Sequence, residues 1–269
     1  MDIELGVSES IGLRDRMEDA HAVRKVPEKG FFSAEVYDGH AGSSAAQIAA
    51  DILTPHFLTL FFAEEEKPLQ QRRSWRELLR QAYLETDALL LKKGITSGAA
   101  AATFYIRGEI FLAANVGDVR VVIGTAQGAR VLTLDHKPHL PEERARIEAL
   151  GGQVIYSDVP RVQGELAISR ALGDAHLKPY VTAEPRVVEG ILGKENDYVV
   201  LACDGVWDVL EPEEVLTLTR DVSCPQKAAE LIQVRAIEKG STDNITVIVV
   251  DLREYTRNLE REWMVVLLN

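Results

Sequence analysis

The sequence predicts an α+β layered domain of antiparallel strands, with its helices grouped in pairs. Short apolar segments separated by Gly, Asn and Asp turns recur along the chain, which is the pattern of antiparallel hairpins. Helical periodicities come in neighbouring pairs between blocks of strands, unlike the one-for-one alternation of a βαβ fold. The absence of a repeat of fixed period argues against a solenoid or propeller. With 269 residues, 46% of them hydrophobic, and no composition shift or Gly/Ser/Pro-rich linker, residues 1–269 are expected to form one domain.

Residues 1–10 alternate apolar and polar (Ile3, Leu5, Val7) as a half-buried strand does, and residues 21–26 are expected to be its hairpin partner. The connection between them, GLRDRMEDA, is dense in charge, as solvated turns are. Residues 31–37 form a third strand. After the DGHAG turn, residues 43–61 place Ala45, Ile48, Ala49, Ile52 and Leu53 at helical spacing. Pro55 is expected to kink or divide that helix, because it lacks an amide donor. Residues 64–73 read as a polar loop. Ser74, with Glu77 three residues on, caps a second helix that stops at Gly94. Segments 98–106, 110–115, 120–123 and 130–134 predict an antiparallel meander. A short helix over 141–150 opens on Pro141 and ends at Gly151 and Gly152. Strands are expected at 153–155, 166–169, 186–189, 198–203 and 245–251, and helices over 213–220 and 225–239.

The formal charge of −12 argues against a nucleic-acid or anionic-membrane surface, since polyphosphate binding needs a cationic footprint. A phosphorylated substrate stays compatible with it where metal ions and one or two arginines reverse the local sign. The two cysteines, Cys203 and Cys224, provide no disulfide framework and fit a reducing compartment. The first ten residues lack the basic region and apolar core of a signal peptide. The apolar tail at 263–268 is far shorter than the roughly 20 residues that span a bilayer. It is expected to dock on the domain or cover a sheet edge. The expected location is the cytoplasm, with the nucleus also open.

Two stretches carry the chemistry. FFSAEVYDGHAG (31–42) and YVVLACDGVWD (198–208) are apolar runs that each end in Asp-Gly, as two strands delivering ligands to one site would. Asp38, Asp118, Asp204 and Asp243 all lie where apolar strands end or begin. A carboxylate beside a buried strand is costly unless it is hydrogen-bonded, paired or bound to a cation. One such aspartate is ordinarily a turn residue or helix cap. Four together, with Glu18 and Asp19, point to a hard-cation site, and oxygen ligands without a His/Cys cluster select Mg²⁺ or Mn²⁺ over zinc. Gly39 after Asp38 would let a backbone carbonyl approach the cation. An EF-hand is disfavoured, because Val215 stands where its closing glutamate would be.

Two divalent ions about 3.5 to 4 Å apart activate a shared water for in-line attack on phosphorus. Such a reaction also needs a guanidinium for the phosphoryl oxygens and an acid for the leaving alkoxide, and Arg14 and His40 are placed to serve. A lone histidine in a turn is ordinarily a spectator, and its place beside a metal ligand reverses that reading for His40. A cysteine phosphatase needs an arginine six residues after its nucleophile, where Cys203 has Val209 and Cys224 has Glu230. No DxD for an aspartyl-phosphate mechanism is present, nor the GDxHG, GDxxDRG and GNHE set of other dinuclear phosphatases.

Nine collinear blocks carry a resemblance: RDRMEDA (14–20), VYDGHAG (36–42), ANVGDVRVVI (114–123), LTLDHKP (132–138), RIEALGGQV (146–154), LAISRALGD (166–174), EPRV (184–187), LACDGVWDVL (201–210) and STDNITVIVV (241–250). The sequence resembles the metal-dependent protein phosphatases of the PPM, or type 2C, class. That resemblance implies a central β-sandwich of two antiparallel sheets flanked by pairs of helices, a four-layer αββα fold with a dinuclear site in the cleft at one end. By position, it implies that Asp38 bridges two Mg²⁺ or Mn²⁺ ions, Gly39 offers its carbonyl to the first, and Asp204 and Asp243 bind the second. Glu18 acts through water, Arg14 holds the substrate phosphate and His40 is the general acid. Asp118, with Asp208, matches a third, weaker metal position.

The implied activity is hydrolysis of phosphoserine and phosphothreonine on proteins by a monomer. The alternative is a pseudophosphatase of the same fold acting as a binding module, and a metal-dependent nuclease would need a backbone-tracking groove that an acidic chain does not offer. The chain departs from the family at Val119 in the usual GDSR turn, at Ala41 in the usual GHGG, and at Ala99 to Ala102, where small polar residues are expected. Trp207 is expected to be a core or loop anchor and Cys203 a small buried hydrophobe. Arg170 is expected either to line the substrate side of the cleft or to form a structural ion pair.

Overall fold

Turn and cap chemistry divides the chain largely where the periodicities change. β1 (Glu4–Ser10), β2 (Ala20–Val26) and β3 (Phe31–His40) precede a helical pair, α1 (Ser44–Glu65) and α2 (Trp75–Lys92). Two hairpins follow, β4 (Gly98–Arg107) with β5 (Ile110–Val116) and β6 (Arg120–Thr125) with β7 (Gly128–Val131). After α3 (Pro141–Ala149) come the short strands β8 (Val154–Tyr156), β9 (Pro160–Val162) and β10 (Leu172–Gly173). β11 (Arg186–Ile191) and β12 (Tyr198–Ala202) then lead into α4 (Asp204–Trp207), the pair α5 (Pro212–Arg220) and α6 (Pro225–Glu238), and the closing strand β13 (Ile245–Asp251). The computed structural model describes residues 3–259, so the tail at 263–268 lies outside the described residues.

The strands form a sandwich of two antiparallel sheets. One runs β11-β5-β4-β3-β2, with β10 added beside β4, and the other runs β1-β13-β12-β6-β7. Alternation sorts side chains into three apolar layers. In β3, Phe32, Ala34 and Val36 enter the core between the sheets, while Phe31 and Tyr37 pack with Ala45, Leu53, Phe57 and Leu79 of α1 and α2. In β12, Val199 and Leu201 enter the same inter-sheet core, while Tyr198, Val200 and Ala202 pack under Val215, Leu216, Ala228 and Ile232 of α5 and α6. Both strands are covered on both faces, which explains why their sequences read as continuous apolar runs. Each fully buried Val, Leu or Phe contributes about 1.5–3 kcal/mol. The layer order is helices, sheet, sheet, helices.

Ser74 forms the predicted capping box: its Oγ accepts from the Glu77 amide at 3.2 Å and its own amide donates to Glu77 Oε2 at 2.8 Å. Four other expectations need correction. β1 does not pair with β2; it pairs with β13 in one sheet while β2 pairs with β3 in the other. Alternation specifies that residues 4–10 form a strand but not their neighbour, and the charged 11–19 segment crosses between the sheets, tied down by the Leu13 amide on Thr242 O at 3.0 Å.

The predicted meander is two hairpins in different sheets, because Gly117, at φ 83°, turns the chain from one sheet to the other. A side chain at Gly117 would also run into Ala100, whose small size leaves room for the turn. α1 continues through Pro55 undivided. The Asp51 carbonyl, which Pro55 cannot serve, accepts from Arg24 at 3.4 Å, and the same guanidinium nitrogen donates to Ala50 O at 2.6 Å. Residues 166–169 form a single bridge, Leu166 to Val162, in place of a strand. Ser169 is instead fixed by its amide on His136 O at 2.8 Å and its hydroxyl on Glu143 at 2.7 Å.

Candidate metal centre at the end of the sandwich

The two central strands release their aspartates at the same end of the molecule. β3 is buried up to Tyr37 and emerges as Asp38, Gly39 and His40; β12 is buried through Cys203 and turns into α4 at Asp204. Asp118 enters from the Gly117 crossing. Carboxylate oxygens of Asp38, Asp118 and Asp204 all lie within 4.8 Å of one another, and ligand atoms of Asp19, Asp38 and Cys203 form a second group of the same tightness. Asp38 belongs to both groups.

Crowding and burial act on these acids together. Burial, then the charge of Asp204, holds the Asp38 carboxyl well above the usual carboxylate range. Burial and the charges of Asp118, Asp208 and Asp243 push Asp204 up to about 8, with Lys137 offering partial relief. Burial pushes Asp19 up to about 6, although the Thr246 hydroxyl donates to it at 2.7 Å. The Cys203 thiol is pushed up by burial and by the neighbouring aspartates, so it stays a thiol. Lys137 forms an ion pair with Asp118, and Arg14 with Asp243 at 2.7 Å. No cation pairs with Asp38 or Asp204 among the described residues. An oxygen-rich donor set with uncompensated charge fits a hard divalent cation.

The 11–18 segment forms the near wall. Asn244 holds it with three hydrogen bonds: its Oδ1 accepts from the Glu18 amide at 2.8 Å, and its Nδ2 donates to Ile11 O at 2.9 Å and Arg16 O at 3.0 Å. Gly39 is required by this wall, because a Cβ there would collide with the Glu18 carbonyl oxygen. Arg14, Asp15, Arg16, Glu18, Gly39, Asp243 and Asn244 line a cleft of about 470 Å³. Arg14 is exposed on the rim of that cleft, where it pairs with Asp243. His40 sits where β3 ends opposite Gly98, its Nε2 at 2.9 Å from both oxygens of Asp174.

The family model for protein phosphatase 2C matches residues 3–245. The chain belongs to the protein phosphatase 2C family. It is 37% identical over 257 residues to probable protein phosphatase 2C 71 of Arabidopsis thaliana, covering 93% of this chain and 55% of that one. It is 35% identical over 262 residues to probable protein phosphatase 2C 59 of Oryza sativa subsp. japonica, covering 94% of this chain and 77% of that one. The chain thus spans little more than half the length of the Arabidopsis relative, and 64% of probable protein phosphatase 2C 32 of Oryza sativa subsp. japonica. The crystal structure of a serine-threonine phosphatase 2C from Toxoplasma gondii superposes with a TM-score of 0.82 at 22% identity, covering 93% of this chain and 94% of that one, which shows the shared fold. Protein phosphatase 2C enzymes are metal-dependent, and the clustered carboxylates fit that dependence.

Within this protein phosphatase 2C fold, the predicted residues fall into an inner and an outer set. Asp38, Asp204 and Asp118 form the inner set; Asp118, expected at a separate third position with Asp208, touches the same close group. Asp243 and Glu18 lie outside the close groups on the cleft side, and Asp208 is exposed. Arg170 is a structural ion pair: it meets Glu143 at 2.5 Å and donates to Glu184 O at 2.9 Å. Trp207 is a buried anchor whose indole donates to Ala202 O at 2.7 Å. Sequence reasoning missed Asn244, Lys137 and Asp174 as members of the site. Asp174 follows a glycine in ALGD, as Asp118 does in NVGD, but neither a long apolar run before it nor a glycine after it marks it as Asp38 and Asp204 are marked.

Proposed function

We propose that this chain is a Mg²⁺- or Mn²⁺-dependent phosphatase of phosphoserine and phosphothreonine on proteins. The observation that carries the reading is the sharing of Asp38 between two close groups of potential ligand atoms, one with Asp118 and Asp204 and one with Asp19 and Cys203, beside a cleft lined by Arg14 and Gly39. Asp38 would bridge two ions, the Gly39 carbonyl would serve the first, and Asp204 and Asp243 the second. Glu18 would act through water, and Asp118, with Asp208, would favour a third ion. Bound there, the cations supply charge neutralisation and a water activated for attack on phosphorus.

The chain's own groups supply the rest. Arg14, presenting several donors in one plane, grips the phosphoryl oxygens after releasing Asp243. Because Arg14 is exposed before substrate arrives, little buried structure is lost in the exchange. His40 gives a proton to the leaving seryl or threonyl oxygen, whose alkoxide is too basic to depart unassisted. The covered faces of β3 and β12 hold the acids at fixed separation.

The test is release of phosphate from a phosphothreonine peptide by the purified protein with Mn²⁺ and with EDTA. Hydrolysis with Mn²⁺ and none with EDTA is expected; hydrolysis that ignores the metal would sink the mechanism. A protein that binds the peptide without hydrolysing it would support the binding-module alternative.

A further inference from the structure

We infer that Asp174 is a positioning residue for His40, holding the proton on Nε2 so that Nδ1 is the nitrogen that donates to the leaving oxygen. The inference rests on the phosphatase reading above. His40 Nε2 lies 2.9 Å from both carboxylate oxygens of Asp174, and Nδ1 has no protein partner among the described residues. The Asp174 side chain is 2% exposed and that of His40 25%, so the carboxylate is buried while the ring is partly open to solvent. No lysine or arginine pairs with Asp174 among the described residues, which leaves the His40 ring as its side-chain partner. A buried carboxylate with a single such partner is costly to maintain for packing alone.

The surroundings hold that geometry from three sides. Asp174 itself is in the left-handed region, φ 52° and ψ 49°, a conformation few non-glycine residues adopt. Its amide donates to Ser97 O at 3.4 Å, and the amide before it, Gly173 N, donates to Asp87 Oδ1 of α2 at 2.7 Å. Asp87 is in turn paired with Lys178 at 3.0 Å, and Lys178 also donates to Ala171 O at 3.3 Å. Gly98 lies against the pair: a Cβ there would run into both Asp174 Oδ2 and His40 Nε2. Gly98 is not among the glycines with positive φ, so contact with the His40–Asp174 pair is what excludes a side chain there.

The proton balance is simple. Imidazolium His40 carries a proton on each nitrogen. As the oxygen of the attacking water bonds to phosphorus and the bond to the leaving oxygen breaks, that bond's electron pair stays on the leaving oxygen and the Nδ1 proton moves to it. His40 is left neutral, with its remaining proton on Nε2 in the hydrogen bond to Asp174, and solvent returns the lost proton. Without Asp174 the ring is free to turn or to hold its proton on the wrong nitrogen, and a general acid so displaced loses most of its effect.

The test compares wild type, Asp174→Asn, Gly98→Ala and His40→Ala on a phosphothreonine peptide and on p-nitrophenyl phosphate, whose leaving group needs no proton. Both positioning variants are expected to lose about 10- to 100-fold in kcat on the peptide and only a few-fold on the aryl ester. Mn²⁺ affinity by calorimetry is expected to stay near wild type. In ¹⁵N-histidine spectra, the neutral His40 ring, assigned by its absence from His40→Ala, is expected as the Nε2–H tautomer in wild type and as a tautomer mixture in Asp174→Asn. Equal losses on both esters, or no loss on the peptide, would overturn the inference while leaving the phosphatase reading intact. An Nδ1–H tautomer in the wild type would overturn it as well, whatever the activities. Wild-type protein that hydrolyses neither ester would sink the phosphatase reading and this inference with it.

Discussion

Asp38 and Asp204 come from opposite sheets of the sandwich, one at the end of β3 and one at the start of α4, yet with Asp118 their carboxylate oxygens lie within 4.8 Å of one another. Two strands that cover each other's inner faces have little freedom to separate, so the acids cannot relax apart. Like charges at that spacing in a partly desolvated site favour the protonated form unless a cation is present. The rigid sandwich therefore makes the acids prefer a metal to a proton partner as pH rises.

Stability without metal should fall as pH rises. Asp204 titrates near 8 and Asp19 near 6 in the folded chain, against an ordinary value of 3.8. With folded values raised, the folded state binds more protons than the unfolded one between pH 4 and 8, so its stability drops across that window. Mn²⁺ bound to the ionised form should restore it. Melting curves in EDTA and in Mn²⁺ should diverge more at pH 8 than at pH 6; an equal shift at both would refute the linkage.

Asp204→Asn should act in opposite directions on stability and activity. Removing one charge from the crowded group should raise the melting temperature of the metal-free protein at pH 8, by roughly 2–4 °C for each kcal/mol of relief. The same change should lower phosphopeptide hydrolysis by about 100-fold or more, on the scale of losing one electrostatic contact to the transition state. Calorimetric scans and initial rates on one preparation would show both effects.

Arg14 should matter for phosphate capture more than for the fold. It is exposed, and its ion pair with Asp243 is a surface pair worth little on its own. Arg14→Ala should leave the melting temperature within a degree or two and cost about 10- to 100-fold in kcat/KM, the scale of a lost charge-assisted hydrogen bond. Arg14→Lys should recover part of that loss, because an ammonium keeps the charge without the planar fork. Full recovery by lysine would show that charge alone suffices.

The strands and helices were legible where one local signal dominated. The capping box at Ser74 and the doubly covered runs of β3 and β12 needed no distant information. Pairing partners were not legible, because alternation specifies which face of residues 4–10 is buried and says nothing of whether β2 or β13 lies beside them. Asp38, Asp204 and Asp118 stood out as carboxylates next to apolar strands, and that cost argument holds in the structure. Asp174, Asn244 and Lys137 did not, because each acts through a contact with a residue remote in sequence: His40, the Glu18 amide and Asp118.

Glu143 should report the acid stability of the fold. Burial opposes its charge, but Arg170 at 2.5 Å, Arg146 at 2.9 Å and the Ser169 hydroxyl at 2.7 Å outweigh it and hold the carboxyl down to about 2, against an ordinary 4.5. A lowered folded value gives stability that is complete above pH 4.5 and is lost as pH falls toward 2. The shift corresponds to something on the order of 3 kcal/mol. Glu143→Gln should destabilise the protein by about that amount at pH 7 in urea, and the gap to wild type should shrink between pH 4.5 and pH 3. A gap that does not change with pH would assign the loss to packing.

The sharing of Asp38 is the centre of the account, and titration of Mn²⁺ into the metal-free protein at pH 8 tests it most directly. Calorimetry should show two equivalents bound by the wild type and neither held at comparable affinity by Asp38→Asn, the outcome expected of one carboxylate that serves both ions. No binding to the wild type, or an Asp38→Asn variant that binds Mn²⁺ as the wild type does, would contradict it.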